Sequence, residues 1–244
     1  MTAIKITNLR KEYKDVVAVD DLNLEINEGE LFSLLGVNGA GKTTTIKMLA
    51  TLTKPTSGDA TIYNYSILNN EDKIKELVDI SMQETAIARK LTVDENIEFY
   101  AKLSGQNNEE VENAKKTIYD AFGLDKVAKK QASKLSGGWQ RKLSIALALV
   151  SNPKVLFLDE PTLGLDVIAR RELWKIINTL KGKVTIILTT HYMEEAEALS
   201  DRIGIMKDGK LLFIGEKEKL FELTKKSNVE DAFIEIVSGG EQNA

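Results

Sequence analysis

One stretch of the 244-residue chain carries chemistry in its spacing alone: Gly36-Val37-Asn38-Gly39-Ala40-Gly41-Lys42-Thr43. Glycines let backbone N–H groups turn inward around phosphate oxygens, with no Cβ in the way. The helical run from Thr44 to Ala50 follows directly, so a helix beginning near Gly41 adds unpaired N–H groups and the positive end of its dipole. Lys42 supplies a cation to β- and γ-phosphates, and the Thr43 hydroxyl a ligand for Mg²⁺. Asn38, Gly39, Ala40 and Thr44 supply the rest of the cradle. The pattern reads as a nucleoside triphosphate site. An empty glycine-rich turn is the bland alternative, and the strand and helix pattern on either side weighs against it.

Short apolar runs must position this loop. Leu31–Leu35, Val155–Leu158 and Val184–Leu188 are apolar on both faces, as buried central strands are, and helical patterns separate them. That alternation predicts an α/β fold with a mostly parallel sheet. Ile4-Lys5-Ile6 and Leu22–Ile26 alternate with period two, predicting antiparallel strands at the N-terminus. Ile203–Met206 and Leu211–Ile214 flank Asp208-Gly209, a hairpin signal. From about Thr92 to Val150 only helical patterns occur. Thr92 and Glu95 form a capping box ahead of the face Val93, Ile97, Tyr100 and Ala101. Val111, Ala114, Ile118 and Phe122 form a second stripe, with Gly123 where a helix would end. Leu143, Ala146, Leu147 and Val150 form a third. We therefore expect a helical subdomain over residues 85–152, inserted into a core made of 1–84 and 153–227. A short C-terminal helix bearing Val229, Phe233 and Ile236 and a tail complete 228–244. Fraying is expected from Ser238 onward.

Composition excludes several classes. With 43% hydrophobic and 29% charged residues the chain is an ordinary globular one, large enough for one domain with a sub-lobe. A net charge of -4 argues against a nucleic-acid partner. The chain has no cysteine, which excludes disulfide scaffolds, thiol catalysis and zinc–thiolate sites; its single histidine, His191, excludes multi-histidine metal clusters. The N-terminus has no apolar h-region, so no secretory signal is expected. The longest clean apolar stretches are about five residues, against the ~20 that cross a bilayer, so no direct membrane span is expected either.

Many enzymes share the first loop, and other motifs narrow the choice. The Asn-Lys-x-Asp motif by which GTPases read their base is absent, and the helical stretch is poor in the arginines of small-molecule kinase lids. It carries instead Leu135-Ser136-Gly137-Gly138-Trp139-Gln140-Arg141. Here the sequence resembles the ATP-binding subunits of ABC transporters, from about Ile4 to Val237. The resemblance implies a P-loop NTPase with a RecA-like core. The Ser136 hydroxyl and the Gly137 and Gly138 N–H groups at a helix start would form a second anion site. In the family that site serves another chain, two subunits packing head to tail around two ATP molecules. A plain helix N-cap is the alternative reading of Ser136.

By the same resemblance Val155–Asp159 delivers Asp159 to the Mg²⁺ shell, and Glu160 polarises the attacking water as general base. Leu163-Gly164-Leu165-Asp166 looks like the loop that reaches across the dimer. His191 looks like the family's γ-phosphate contact, at a strand end where ligands bind in open α/β sheets. Gln83 is placed at the join between core and subdomain, near nucleotide and metal. Tyr13, 23 residues before Gly36, is placed to stack on adenine, with Val19 in the same pocket. The sequence departs at Trp139, where relatives carry Met or Gln, and at Val167, where Pro commonly follows the loop aspartate. Neither touches phosphate or metal, so an active ATPase with Lys42, Glu160 and His191 in catalysis is expected.

The resemblance further implies a motor that works with a second copy and a separate integral membrane permease. The permease would dock near Gln83–Lys90, holding the chain on the cytoplasmic face of the cell membrane. Leu91–Asn96, Thr190–Glu197 and Val229–Phe233 resemble the branch that exports drugs, antibiotics or sodium. The rivals are an importer subunit and a non-transport regulatory ATPase. Translation-control relatives carry two cassettes and chromosome relatives a long coiled coil, and this chain has neither pattern.

Overall fold

The N-terminal alternation builds a sheet of its own. In the computed structural model, which describes residues 1–239, β1 (Thr2–Tyr13) pairs antiparallel with β2 (Val16–Asn27). Ile4, Ile6, Leu22, Leu24 and Ile26 turn inward. The run Leu31–Leu35 forms β3, buried at every position, and the glycine-rich loop leads into α1 (Lys42–Leu49). The chain returns to the first sheet as β4 (Ser57–Ile62) and β5 (Tyr65–Ser66), giving the order β2-β1-β4-β5. Next, α2 (Glu71–Leu77) runs straight into β6 (Val78–Ser81).

Three helices then follow. The Thr92–Glu95 capping box opens α3 (Val93–Leu103), and a second box, Asn107–Glu110, opens α4 (Asn108–Phe122). Gly123 ends that helix at φ 65, a conformation open to glycine at little cost. Ser136 stands at the N-cap of α5 (Gly137–Leu149). The apolar stripes of all three helices share one core cluster with Leu156, Leu158, Ile186 and Leu188 of the sheet, with α5 against β6 and β7 and with α3 and α4 packed on α5.

The rest of the chain alternates: β7 (Val155–Asp159), α6 (Val167–Leu180), β8 (Thr185–Thr190), α7 (Met193–Leu199), β9 (Arg202–Lys207), β10 (Lys210–Gly215), α8 (Lys217–Thr224) and α9 (Val229–Gly239). Val184 lies one residue before β8, just outside the strand its apolar character predicts. The second sheet has the order β10-β9-β3-β8-β7-β6, parallel throughout except for the antiparallel edge strand β10. The expected α/β class, a mostly parallel core with antiparallel N-terminal strands, is the one the chain adopts. Phe32, Leu34, Phe157 and Ile187 pack the opposite face against the first sheet and α1, and a third cluster seats α7 to α9 beside Leu35, Ile203 and Ile205. Ser238 and Gly239 still belong to α9; the remainder of the stretch expected to fray, residues 240–244, lies outside the described residues. Among the described residues no helix is long and apolar enough to cross a membrane.

Two features of this frame position chemistry. In the parallel register Leu35 pairs with Thr190 and Asp159 with Thr189, so β3, β7 and β8 end together. The glycine-rich loop, Glu160 and His191 leave from that one edge. Beside it, the tight turn between β9 and β10 (Asp208 φ 49, Gly209 φ 78) touches both the glycine-rich loop and the first sheet: Gly209 N–H donates to the Ala40 carbonyl at 3.1 Å, and the Gly209 carbonyl accepts from Asp20 N–H at 2.9 Å.

Candidate functional site

At that edge lies a cleft of about 320 Å³, lined by Ala18, residues 38–44 of the loop, Gln83, Glu160, Leu163 and His191. Two of the loop's glycines, Gly36 and Gly41, are sterically required. A Cβ at Gly36 would meet the Met206 carbonyl at 2.4 Å, and one at Gly41 the Ala18 carbonyl at 2.3 Å. Gly41 also sits at φ 105, as the N-cap of α1. Among the described residues no side chain caps α1 and its first turn holds no acidic residue, so its N–H groups and dipole face the cleft unopposed. Gly41→Ala is therefore expected to lower stability by about 2–3 kcal/mol and the melting midpoint by about 4–10 °C. It should also weaken ATP binding severely. A melting curve and an ATP titration check this, and parent-like values in both would remove the steric argument.

Three charged groups meet over the loop. Lys42, 5% exposed, donates to the Gly36 and Val37 carbonyls at 2.7 and 3.2 Å and lies 3.3 Å from Glu160 Oε1. Glu160, also 5% exposed, holds His191 Nδ1 at 2.8 Å through Oε2. Its backbone has φ 49, a left-handed conformation rare outside glycine, and its N–H donates to Thr189 O and Oγ1 at 3.1 and 3.2 Å. A strained backbone aims this carboxylate into the cleft.

Beside them, Thr43 Oγ1 lies 2.9 and 3.0 Å from the Asp159 carboxylate oxygens, and Thr189 donates to Asp159 Oδ1 at 2.5 Å. Among the described residues there is no group of three His, Cys, Asp or Glu that could hold a metal. One carboxylate and one hydroxyl nevertheless fit Mg²⁺, which takes few protein oxygens and completes its octahedron with phosphates and water.

The other expected site residues are distributed differently. Gln83 lines the cleft, and its carbonyl is held from behind by Arg141. Ser136 and Gly137 are exposed at the start of α5, away from the cleft. Ser136 occupies the N-cap position of α5, and among the described residues its side chain makes no cap hydrogen bond. Tyr13, 45% exposed at the end of β1, stands outside the cleft lining with the Lys11 ammonium 4.8 Å from its ring centre. One assignment needs correction. Val19 is 0% exposed and packs in the core, while its neighbour Ala18 faces the cleft, because register shifts along β1–β2 break the simple alternation. Asp166 caps α6, its Oδ1 accepting from Ile168 and Ala169 N–H at 2.9 Å each, and Leu163 is the residue of that loop that lines the cleft.

Among the buried charged residues that alternation and helix stripes do not anticipate, two stand near the site. Arg141 is one. Glu195 on α7 is the other: it accepts from Trp174 Nε1–H at 3.0 Å, faces the Thr190 and Thr162 hydroxyls, and is pushed above the usual carboxylate range by burial. Both follow a motif residue by a helical step (His191 by four, Gly137 by four), which places them on the inner face of their helices.

A glycine loop closing a parallel strand, a lysine within it and a hydroxyl–carboxylate pair beside it define a nucleoside triphosphatase of the P-loop class. The family model for ABC transporters matches residues 19–163, and the chain belongs to that family. It is 43% identical over 219 residues to the phospholipid-transporting ATPase ABCA3 of Homo sapiens, covering 88% of this chain but 13% of that protein. Among solved structures, an ATP-binding subunit of an ABC transporter superposes with a TM-score of 0.86 at 25% identity, covering 96% of this chain and 99% of the other. The ATP-binding cassette MJ0796, a dimer in a post-hydrolysis state bound to ADP and Pi, gives 0.78 at 27% identity, covering 87% and 98%. The chain is an ABC-type ATP-binding ATPase domain.

Proposed function

We propose that the chain powers export through a separate membrane permease, hydrolysing ATP between two head-to-tail copies. The observation that carries this is the Lys42–Glu160–His191 cluster standing over the glycine loop. Entry of a triphosphate gives Lys42 phosphate oxygens in place of the Gly36 and Val37 carbonyls, and frees Glu160 from its lysine. Glu160 then takes a proton from water as the water oxygen attacks the γ-phosphorus and the bond to the β-phosphate oxygen breaks. His191 donates to the γ-phosphate. Thr43 and Asp159, with Gln83 nearby, would hold Mg²⁺, which neutralises phosphate charge when bound. Loop N–H groups from Asn38 to Thr44 position the phosphates, and Tyr13 stacks on the adenine.

The second copy supplies Ser136, Gly137 and Gly138 over the γ-phosphate. Two features support this reading: the open space beside Gly137, and the exposed Val167 and Ile168 at the start of α6, next to Ala169 against which Gly138 packs. We divide the chain into a catalytic core (1–84 and 153–227), a signature subdomain (85–152) and a C-terminal segment (228–244). The permease docks near Gln83–Lys90 and keeps the chain on the cytoplasmic side of the membrane.

Drug, antibiotic or sodium is the cargo class we favour from the Leu91–Asn96, Thr190–Glu197 and Val229–Phe233 patterns. Phospholipid is the second reading, supported by the name and 43% identity of the human relative. The chain with its co-purifying membrane protein, reconstituted in liposomes, is expected to hydrolyse ATP only with Mg²⁺. Drug, antibiotic or sodium should stimulate turnover from the side on which the chain sits. Stimulation by phospholipid alone would favour the second reading, stimulation from the opposite side an importer, and indifference to every membrane partner a regulatory ATPase.

A further inference from the structure

We propose that Arg141 is a positioning residue that joins Gln83 and the Ser136–Gly138 turn into one mechanical unit, so that nucleotide in a subunit's own cleft sets the posture of the turn lent to its partner. The proposal rests on the head-to-tail reading above and adds to it the residue that fastens the Gln83 segment to α5.

Arg141 is the residue whose placement demands an explanation. Its side chain leaves α5 one turn after Gly137 and is 5% exposed, although a guanidinium left unpaired in the interior is strongly disfavoured. Burial holds its pKa below the ordinary arginine value, against the attraction of Asp159 and Glu195. The compensation is local: Nη1 donates to the Met82 carbonyl at 2.7 Å and Nη2 to the Gln83 carbonyl at 2.5 Å. Three residues further along the same helical face, Ser144 Oγ lies 3.1 Å from Ser81 Oγ, both buried.

One stripe of α5 thus grips three successive residues, Ser81, Met82 and Gln83, where β6 runs out into the cleft wall. From Ser136 to Arg141 is about 7.5 Å along the helix axis, so little flexible chain intervenes between the grip and the turn. Gln83 lines the cleft in this subunit while Ser136 is exposed on the outer surface. A displacement of Gln83 toward bound nucleotide must therefore carry the start of α5 with it. The planar fork is what the geometry uses: two parallel donors meet two consecutive carbonyls, whereas a lysine ammonium keeps the charge but loses the matched pair.

The test starts from the Glu160→Gln protein, compared with Glu160→Gln carrying Arg141→Lys or Arg141→Leu. Three quantities are measured: Mg-ATP affinity of the dilute monomer, the ATP concentration at half-dimerisation, and hydrogen exchange of residues 135–141 in that monomer with and without Mg-ATP. Monomer affinity is expected to stay close to the parent's. Half-dimerisation should need about tenfold more ATP with lysine and about a hundredfold more with leucine. Mg-ATP should slow exchange at 135–141 in the parent and leave it unchanged in Arg141→Lys. If the leucine variant fails to fold by circular dichroism, the lysine variant decides. Parent-like dimerisation and exchange in Arg141→Lys would overturn the proposal, as would a parallel loss of affinity and dimerisation. A Glu160→Gln parent that never dimerises would fail earlier, bringing down the head-to-tail reading and this proposal together.

Discussion

Glu160→Gln is expected to slow ATP turnover by about 10²- to 10⁴-fold while an ATP-loaded dimer accumulates. The amide keeps the shape of the side chain and an acceptor for Lys42, now 3.3 Å from Oε1, but it cannot accept a proton from water. It also removes one negative charge from the pocket that receives a polyphosphate, so ATP should bind at least as tightly as before. Glu160 carries a left-handed backbone, φ 49, which glutamine is expected to keep, so the substitution isolates chemistry from aim. Single-turnover hydrolysis and size-exclusion chromatography with saturating Mg-ATP measure the two effects. Hydrolysis at the parent rate would take the general-base role from Glu160. A variant that stayed monomeric would refute the sandwich of two copies.

Lys42→Ala should act at two levels. ATP affinity is expected to fall by about a hundredfold, since charge-assisted hydrogen bonds to phosphate disappear. The ligand-free protein should change as well. Lys42 and the Glu160 carboxylate are both nearly buried, and removing the ammonium strands the carboxylate with His191 alone. Breaking a buried pair costs up to several kcal/mol; in a cleft open to water we expect about 2, or a midpoint lower by about 4–8 °C. The sign is checked by a double-mutant cycle: adding Glu160→Gln to Lys42→Ala should restore most of the lost stability but none of the ATP affinity. Near-normal affinity in a fluorescence titration would contradict the cradle, and additive melting shifts would contradict the pairing of Lys42 with Glu160.

Much of the site was legible because its parts are punctuated. Gly36–Thr43 sits between an apolar strand and a helix, and Asp159 and His191 each close or follow an apolar run; those runs are the strands that end at one edge. Less was visible where local preference is weak. β4 begins Ser57-Gly58-Asp59, a poor strand sequence, and is held by partners in β1. β6 spans four residues directly after a helix, too short for periodicity to separate. Ala18 and Val19 exchange places because bulges in β1–β2 shift the faces, which alternation cannot anticipate. Asp166 carries a local signal, an aspartate opening a helical run, and that signal accounts for its cap on α6. Arg141 and Glu195 lie outside any pattern that assigns charge to water. Their burial follows from helix phase and from acceptors supplied by distant segments.

The Asp208–Gly209 corner would strike a protein engineer as a harmless place for a tag, being short, polar and between two strands. Its contacts say otherwise. Gly209 is pinned to Ala40 on one side and to Asp20 on the other, and a Cβ there would come within 3.1 Å of the Ala18 carbonyl. The corner is a rivet through which the phosphate loop is fastened to both layers of the molecule, and lengthening it would loosen the loop's mounting without altering a single residue that faces ATP.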